Sequence, residues 1–327
     1  MLELEQAWHW REERGILAQG QAVRVFHGPG ENGGTALRDL AIDRFGDHYW
    51  ITTWKAGLDL SRVIIFLKSK NAHSAVLMHR PERGLSEESK ALFGNPPLNG
   101  FEIKENSAKF MIRLLGGRHP GLFLDHEPLR RWLSQSSQGW RVLNTFAFTG
   151  SLSVAAALGG AEHVTTLDLS KSALTWAKEN WALNHLPEEK SRFIAGDFFE
   201  WLPRFKKEGA RFDCLILDPP SFSRGKHGEF STAQDLQRLH ELAFGVLKNG
   251  GILATSINSA NISRAKFEFE IQAAAKATAR RLRLLWGMDL PETFPTQLNC
   301  PQDRYLKGFV LRVESASDPR VRGPRNS

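Results

Sequence analysis

The sequence predicts an α/β protein: a doubly wound parallel sheet preceded by a smaller α+β region. Three observations carry this. From about residue 140, strand-like apolar runs alternate with helix-like segments, the signature of successive strand–helix units. Residues from about 20 to 115 instead show strand-type alternation broken by turn residues. Finally, Asp168, Asp197 and Asp218 each end an apolar run, about one strand–helix unit apart.

In the first region, "QAVRVFHG", "RDLAIDRFGDHYWITTW" and "GFEIKENSAKFMIRLLGG" read as strands, with a helix in "DLSRVIIFLKSKN" starting near Asp59 or Ser61. "GPGENG" matches GxGxxG, but the adjoining "TALRDLAIDRFG" reads as strand and turn and not as a helix. Gly28, Gly30 and Gly33 are therefore expected in a flexible hairpin loop, not in a dinucleotide fingerprint. In the second region, "WRVLNTFAF", "EHVTTLDLS", "SRFIAGD", "FDCLILD" and "GGILATSI" read as strands. "TGSLSVAAALGGA", "SKSALTWAKENWALNH" and "TAQDLQRLHELAFGVLKN" read as helices. Ser170 suits the cap of the second helix, whose Leu174, Ala177 and Trp181 share one face. "RRLRLLWGM" and "RYLKGFVLRV" read as a closing strand pair. The expected division is 1–120 for the small domain, 121–315 for the sheet domain and 316–327 for a basic disordered tail.

Bulk properties narrow the function. The 327 residues are 41% hydrophobic and 24% charged, enough for two domains with proper cores. No apolar run approaches the ~18 residues of a membrane span, and "MLELEQAWHWREERG" lacks an apolar signal core. A soluble, cytoplasmic protein without membrane contact is expected. Cys214 and Cys300 form no CxxC pair and the eleven histidines show no HExxH spacing, so neither a disulfide framework nor a metal site is expected. The net charge of +7 favours a polyanionic partner. The charge is dispersed in small clusters such as Arg204-Lys206-Lys207, Arg224-Lys226 and Arg280-Arg281-Arg283, most of which suit solvated faces.

In a parallel sheet, Asp168, Asp197 and Asp218 line one edge, at the strands' carboxyl ends where ligands bind. An acid ending the second strand is where nucleotide-binding folds hold ribose hydroxyls, which suits Asp168. The first strand leads into "NTFAFTG", with one glycine, Gly150, and the bulky Phe146 and Phe148. A pyrophosphate binder needs a more open, glycine-rich turn. The expected ligand is thus an adenosine cofactor without phosphates, S-adenosylmethionine (SAM). Asp168 takes the ribose with Leu169 beside it, Asp197 the adenine amino group, and the Asn144–Gly150 loop the methionine part. "CLILDPPSF" then lies beside the reactive methyl group. Pro219 and Pro220 stiffen the turn after Asp218, and Phe222 offers a ring for a flat base. Arg224 and Lys226 come next, in the loop where an RNA substrate would enter.

These residues resemble class I methyltransferases that modify bases of 23S ribosomal RNA. "VLNTFAFTGSLSVAAALGGAEHVTTLDLSKSALTWAKENWALN", "FDCLILDPPSFSRGK", "GLFLDHEPLRRW", "LAIDRFGDHYW" and "RYLKGFVLRV" carry the likeness over roughly residues 20–313. The resemblance implies a Rossmann-like seven-stranded class I methyltransferase sheet behind a small α+β domain that binds substrate RNA. It places cofactor contacts on Asn144, Phe146, Gly150, Asp168, Asp197 and Asp218, with Asp125 and Arg130 helping to close the site. The implied partner is ribosomal RNA or a pre-ribosomal particle. Relatives of the cytosine-5 branch begin with an RNA-binding PUA domain, expected to be absent here. Their cysteine nucleophile stands in a Ser-Cys-Ser-like turn; this chain has "TSINSAN", with Asn258 at that place, and its "GLFLDH" and "DPPSFSRGK" stand closer to the guanine-N7 branch. The expected reaction is methylation of guanine N7 ahead of cytosine C5, with Asn258 clamping the base. A protein or small-molecule acceptor, or a non-catalytic RNA-binding assembly factor, are the alternatives.

Overall fold

A computed structural model describes the chain except residues 20–21, 32–36, 82–88, 226–227, 260, 301–302 and 317–327; for residues 19, 222–225 and 228–233 it describes the backbone alone. The chain forms two compact units. Residues 1–131 make the first, joined by 179–185 and 290–304; residues 132–178, 186–289 and 305 onward make the second.

In the first unit, α1 (Leu2–Glu13) and the short α2 (Ile16–Gln19) precede β1 (Ala22–His27), β2 (Leu40–Phe45) and β3 (His48–Thr53). Helix α3 (Ser61–Ser69) crosses over to β4 (Ser74–His79), and β5 (Lys90–Gly94) completes a sheet ordered β1-β2-β3-β4-β5. Only β3 and β4 are parallel in it. The side chain of Asp59 accepts from Ser61 N at 2.9 Å at the start of α3, as the sequence suggested. A hairpin of β6 (Phe101–Glu105) and β7 (Ala108–Ile112) comes next. Its β7 backbone is capped by two asparagines at the end of a later helix and just beyond it: Met111 N donates to Asn180 Oδ1 and Lys109 N to Asn184 Oδ1, each at 2.8 Å. A 3₁₀ turn (Leu124–His126) and α4 (Glu127–Ser136) lead onward.

This unit buries cations as well as leucines. α1 sets Leu4, Ala7 and Arg11 on one buried stripe, and Arg11 is fully enclosed. Its guanidinium donates to the carbonyls of Ala7 (2.8 Å), Arg24 (2.7 Å) and Thr293 (2.9 Å) and to Glu31 Oε1 at 2.7 Å. Arg24 forms a two-pronged bond to Asp43, at 2.8 and 2.9 Å, and lies 4.0 Å above the ring of Phe294. Segment 290–304 is thereby tied to β1 and α1. As expected from sequence, the glycine stretch lies in the connection between two antiparallel strands, β1 and β2, and not at the start of a helix; it also takes part in this packing, since a Cβ on Gly30 would stand 1.7 Å from Pro295 O. Gly33 lies outside the described residues.

The second unit alternates strands and helices. They are β8 (Arg141–Thr145), α5 (Ser151–Leu158), β9 (His163–Asp168), α6 (Lys171–Leu183, whose end belongs to the first unit), β10 (Ser191–Ala195), α7 (Phe198–Lys207) and β11 (Phe212–Leu217). Then come a hairpin of β12 (Phe222–Gly225) and β13 (Gly228–Ser231), α8 (Thr232–Val246), β14 (Leu247–Asn258), α9 (Arg264–Ala277), β15 (Arg280–Met288) and β16 (Leu306–Ser315). The seven-stranded sheet runs β10-β9-β8-β11-β14-β16-β15. The first five are parallel, and β16 inserts antiparallel between β14 and β15. This is the expected Rossmann-like doubly wound sheet with its closing strand pair. Sequence reading assigned no helix to α1, α2, α4, α7 or α9 and a loop to what is the β12–β13 hairpin. Leu143, Leu167, Leu215, Leu217 and Leu253 from the central strands pack with Phe198, Phe244 and Phe267 from the helices in one core.

Replacing Arg11 leaves the acid of Glu31 and three carbonyls without their donor. Arg11→Ala is expected to lower stability by about 3–5 kcal/mol. Leu2→Ala, at a side chain left 72% exposed, should change it by less than about 0.5 kcal/mol. Urea denaturation followed by circular dichroism compares the two; equal midpoints would refute the role given to Arg11.

Candidate active site

The carboxyl ends of β8, β9, β10, β11 and β14 share one edge of the parallel sheet. After β8 the chain passes through residues 146–150 into α5. Phe146, Phe148 and Gly150 are left-handed there, with φ of 54°, 49° and 72°. Bulky residues adopt this conformation at a cost of roughly 1–3 kcal/mol each, and only where the surroundings enforce it. Here the anchors are clear. Thr145 Oγ1 donates to Ile216 O at 2.7 Å, Ala147 N to Leu167 O at 3.2 Å, and Phe148 N to Asp168 Oδ2 at 2.8 Å. Gly150 starts α5 with no room for a side chain, since an added Cβ would lie 2.8 Å from the Ala177 methyl group.

Asp168 ends β9. Its Oδ1 accepts from Ser170 N at 2.8 Å while Oδ2 holds the Phe148 amide. Burial raises its pKa above the ordinary carboxylate value, and the backbone donors pull against that rise. Two oriented oxygens with lone pairs to spare suit a vicinal diol. Leu169, next to it, leaves 49% of its surface exposed, an apolar face beside the acid. Ser170 Oγ accepts from Ala173 N at 3.2 Å, the expected cap of α6.

Asp197 comes after β10 and caps α7, accepting from Phe199 N at 2.7 Å. Next to it, the ring of Phe198 stacks on Phe146 at 5.2 Å. Asp218 comes after β11, and its Oδ1 accepts from Ser256 Oγ of β14 at 2.5 Å. Pro219 is buried and Pro220 exposed. Ser221 Oγ then donates to the carbonyl of Asn258 at 2.9 Å, so two hydroxyls fasten the Asp218–Ser221 turn to the end of β14. The Asn258 side chain is exposed at that end. Phe222 and Arg224 stand on β12, with only their backbone described, and Lys226 lies outside the described residues.

Other candidates occupy different places. Asn144 is 1% exposed beneath the loop; its Nδ2 donates to Ser153 Oγ at 2.9 Å, and Thr166 Oγ1 donates to the same oxygen at 2.8 Å. Its carboxamide thus ties β8 and β9 to the first turn of α5. Asp125 and Arg130 are buried in the first unit. Asp125 pairs with His126 at 3.1 Å, and Arg130 grips Glu105 (2.7 Å from Nη2) and donates to Phe123 O at 2.8 Å. Cys214 is wholly enclosed within β11, where burial raises its pKa far above that of a reactive thiol. Cys300 lies in the first unit, 3.6 Å from Arg38 Nη2. Among the described residues no three His, Cys, Asp or Glu side chains are grouped to hold a metal ion, and no helix is long and apolar enough to cross a membrane.

The residues that sequence reasoning missed are hydroxyls: Thr145, Ser153, Thr166 and Ser256. Their signal lies in register. Leu217 stands opposite Thr255, which brings Asp218 across from Ser256, and the sequence alone does not contain that pairing.

The model of a family described as S-adenosylmethionine-dependent methyltransferase matches residues 59–302. The chain is 30% identical over 285 residues to the ribosomal RNA large subunit methyltransferase I of Aeromonas hydrophila, covering 85% of this chain and 72% of that protein. The enzyme of the same name from Klebsiella pneumoniae strain 342 is 29% identical, with 95% and 78% covered. A crystal structure described as a methyltransferase complexed with SAH superposes with a TM-score of 0.83 at 25% identity, covering 94% of this chain and 80% of that one. The chain therefore belongs to the S-adenosylmethionine-dependent methyltransferases. Its curated relatives here carry the name ribosomal RNA large subunit methyltransferase I.

The donor set fits that family's cofactor. A carboxylate preset by two amides ends β9, the strand end at which nucleotide-binding folds hold a ribose, a second acid follows the neighbouring strand, and the enforced loop leaves no glycine-rich cradle for phosphates. Asp168→Ala is expected to weaken SAM binding about 10- to 150-fold, the worth of a lost charged contact. Protonating Asp168 turns an acceptor into a donor, so affinity should also fall on acidification. The raised pKa starts that fall at a higher pH than an ordinary aspartate would. Calorimetry across pH reads both effects; unchanged affinity in the alanine variant would remove Asp168 from the ribose site.

Proposed function

We propose that this methyltransferase modifies a base of large-subunit ribosomal RNA, and that the acceptor atom is a ring nitrogen, guanine N7 first, in preference to the carbon C5 of cytosine. The RNA class is supported by the names of the relatives and by the +7 charge. The choice of atom rests on the end of β14. Cytosine C5 is not nucleophilic until a thiolate adds to the ring. The residue at that strand end is Asn258, whose amide cannot do this work. The second unit's only cysteine, Cys214, is enclosed in the core.

SAM, when bound, supplies an electrophilic methyl group. The tasks left to the chain are placement and electrostatics. In this reading Asp168 holds the ribose with Leu169 beside it, Asp197 receives the adenine amino group, and the Phe146–Gly150 loop, braced by Asn144, packs the methionine part. The Asp218–Ser221 turn and Asn258 offer carbonyls and an amide to the edge of the base, and Phe222 a ring for its face. Guanine N7 carries an in-plane lone pair, so alignment alone suffices and no proton need leave first. The small α+β domain and the Arg224–Lys226 stretch receive the RNA, as free ribosomal RNA or in a pre-ribosomal particle.

Nucleoside mass spectrometry of ribosomal RNA from a deletion strain should show loss of one methylated base, restored by the parent chain and not by Asp168→Ala. RNA containing 5-fluorocytosine should form no covalent adduct with the enzyme. A stable adduct that disappears in Cys300→Ala would overturn the nitrogen assignment and restore cytosine C5.

Charge reversal in Arg224→Glu/Lys226→Glu is expected to weaken RNA binding and flatten its dependence on salt while sparing SAM affinity. An unaltered salt slope would take that stretch off the RNA path.

A further inference from the structure

We infer that Lys307 is a positioning residue for the turn that receives the acceptor base; the inference rests on reading the ends of β11 and β14 as the base-binding edge. Lys307 lies on β16, directly across from Ile257 of β14, and is 8% exposed. Its ammonium donates to Ser259 O at 2.5 Å and to Tyr305 O at 3.3 Å. Ser259 N donates to Tyr305 O at 3.2 Å, which closes a small ring of contacts where β14 ends and β16 begins.

Both acceptors are neutral carbonyls. Among the described residues no carboxylate pairs with Lys307, and the charged group acting on it is the repelling Arg264. Burial and then Arg264 lower its pKa. A buried ammonium without a counter-ion is costly, and an apolar side chain of similar length would satisfy a strand interior without that cost. The position therefore calls for a strong multiple donor.

What the donor fixes is the far side of the same strand end. Ser259 is the neighbour of Asn258, whose carbonyl takes the Ser221 hydroxyl, and Ser256, in the same strand, holds Asp218. Lys307 thus locks the strand end to which the Asp218–Ser221 turn is tied from the opposite side. The cofactor contacts at Asp168 and residues 146–150 do not involve it.

The test uses the full chain with Lys307→Met and Lys307→Arg. In the methionine variant SAM affinity should stay within about twofold, while kcat for methyl transfer to ribosomal RNA falls about tenfold to a hundredfold, the scale of a small misplacement. The arginine variant, which keeps a cationic donor, should recover part of that loss. Hydrogen exchange without RNA should quicken in peptides covering 214–221 and 256–259 and stay unchanged over 141–170. Should the methionine variant not fold, Lys307→Gln is read in its place. Parent-like kcat with parent-like exchange, or quickened exchange spread equally over 141–170, overturns the inference. Absence of methyl transfer by the parent would instead overturn the RNA reading, and the exchange pattern still decides the role of Lys307.

Discussion

The hydrogen bond from the Phe148 amide to the Asp168 carboxylate organises the carboxyl edge of the sheet. It joins the ends of adjacent strands β8 and β9, and it requires the chain to turn left-handed at two phenylalanines. Such a turn is stable only because its neighbours leave no alternative. Leu167 O takes the Ala147 amide, and Gly150 presses against Ala177 with no space for a methyl group. Beneath it, the Asn144–Ser153–Thr166 cluster holds the first turn of α5. The folding core thus sustains the strain, and the carboxylate is oriented before any ligand arrives. Preorganisation of this kind spares the binding step the entropy of ordering a loop.

The two halves of the edge are held by different means. At the ends of β9 and β10, backbone amides bind Asp168 and Asp197. They remain whatever the neighbouring side chains become. On the β11–β14 side the links are side-chain hydroxyls, Ser256 to Asp218 and Ser221 to Asn258 O. A single substitution alters such a link without disturbing the sheet. If the two halves serve acceptor and methyl donor as proposed, this architecture allows the first to be retuned while the second stays fixed, which is how one fold serves many acceptors.

Much of the second unit is legible because its strands are buried on both faces. Continuous apolar runs ending in Asp168, Asp197 and Asp218 announce strands, their order and their ligand edge. The helices missed have physical reasons. α7 contains Pro203, an interior helix breaker by local rules, and is rescued by its Asp197 cap and by Phe198, Leu202 and Phe205 in the core. α1 escapes a periodicity search because one member of its buried stripe is Arg11, which counts as polar while its partners make it a core residue. The family resemblance offers Asn144 as a cofactor contact. Only the packing of α5 shows that its Nδ2 is taken up by Ser153 Oγ.

Chain order also conceals which residues fold together. A border near 120 assumes that domains are continuous stretches, yet 179–185 and 290–304 belong to the first unit. Polar contacts account for this. The edge of β7 needs partners for its amides, and Asn180 and Asn184 supply them one helical turn apart; Asn184 Nδ2 also returns a bond to Lys109 O at 2.8 Å. Arg113 meets Glu179 at 2.6 Å beside them. The second segment brings Phe294 under Arg24, Thr293 O to Arg11 and Asp303 to Arg38 at 3.1 Å. A chain cut at 120 would leave these asparagines, and Phe294 at 3% exposed, without the surfaces that cover them. Because the unpaired groups would be polar and buried in the parent, the loss exceeds that of a few apolar contacts. The small unit is therefore completed only when the chain has passed twice more through it, and its core depends on segments that the sequence places within the methyltransferase region.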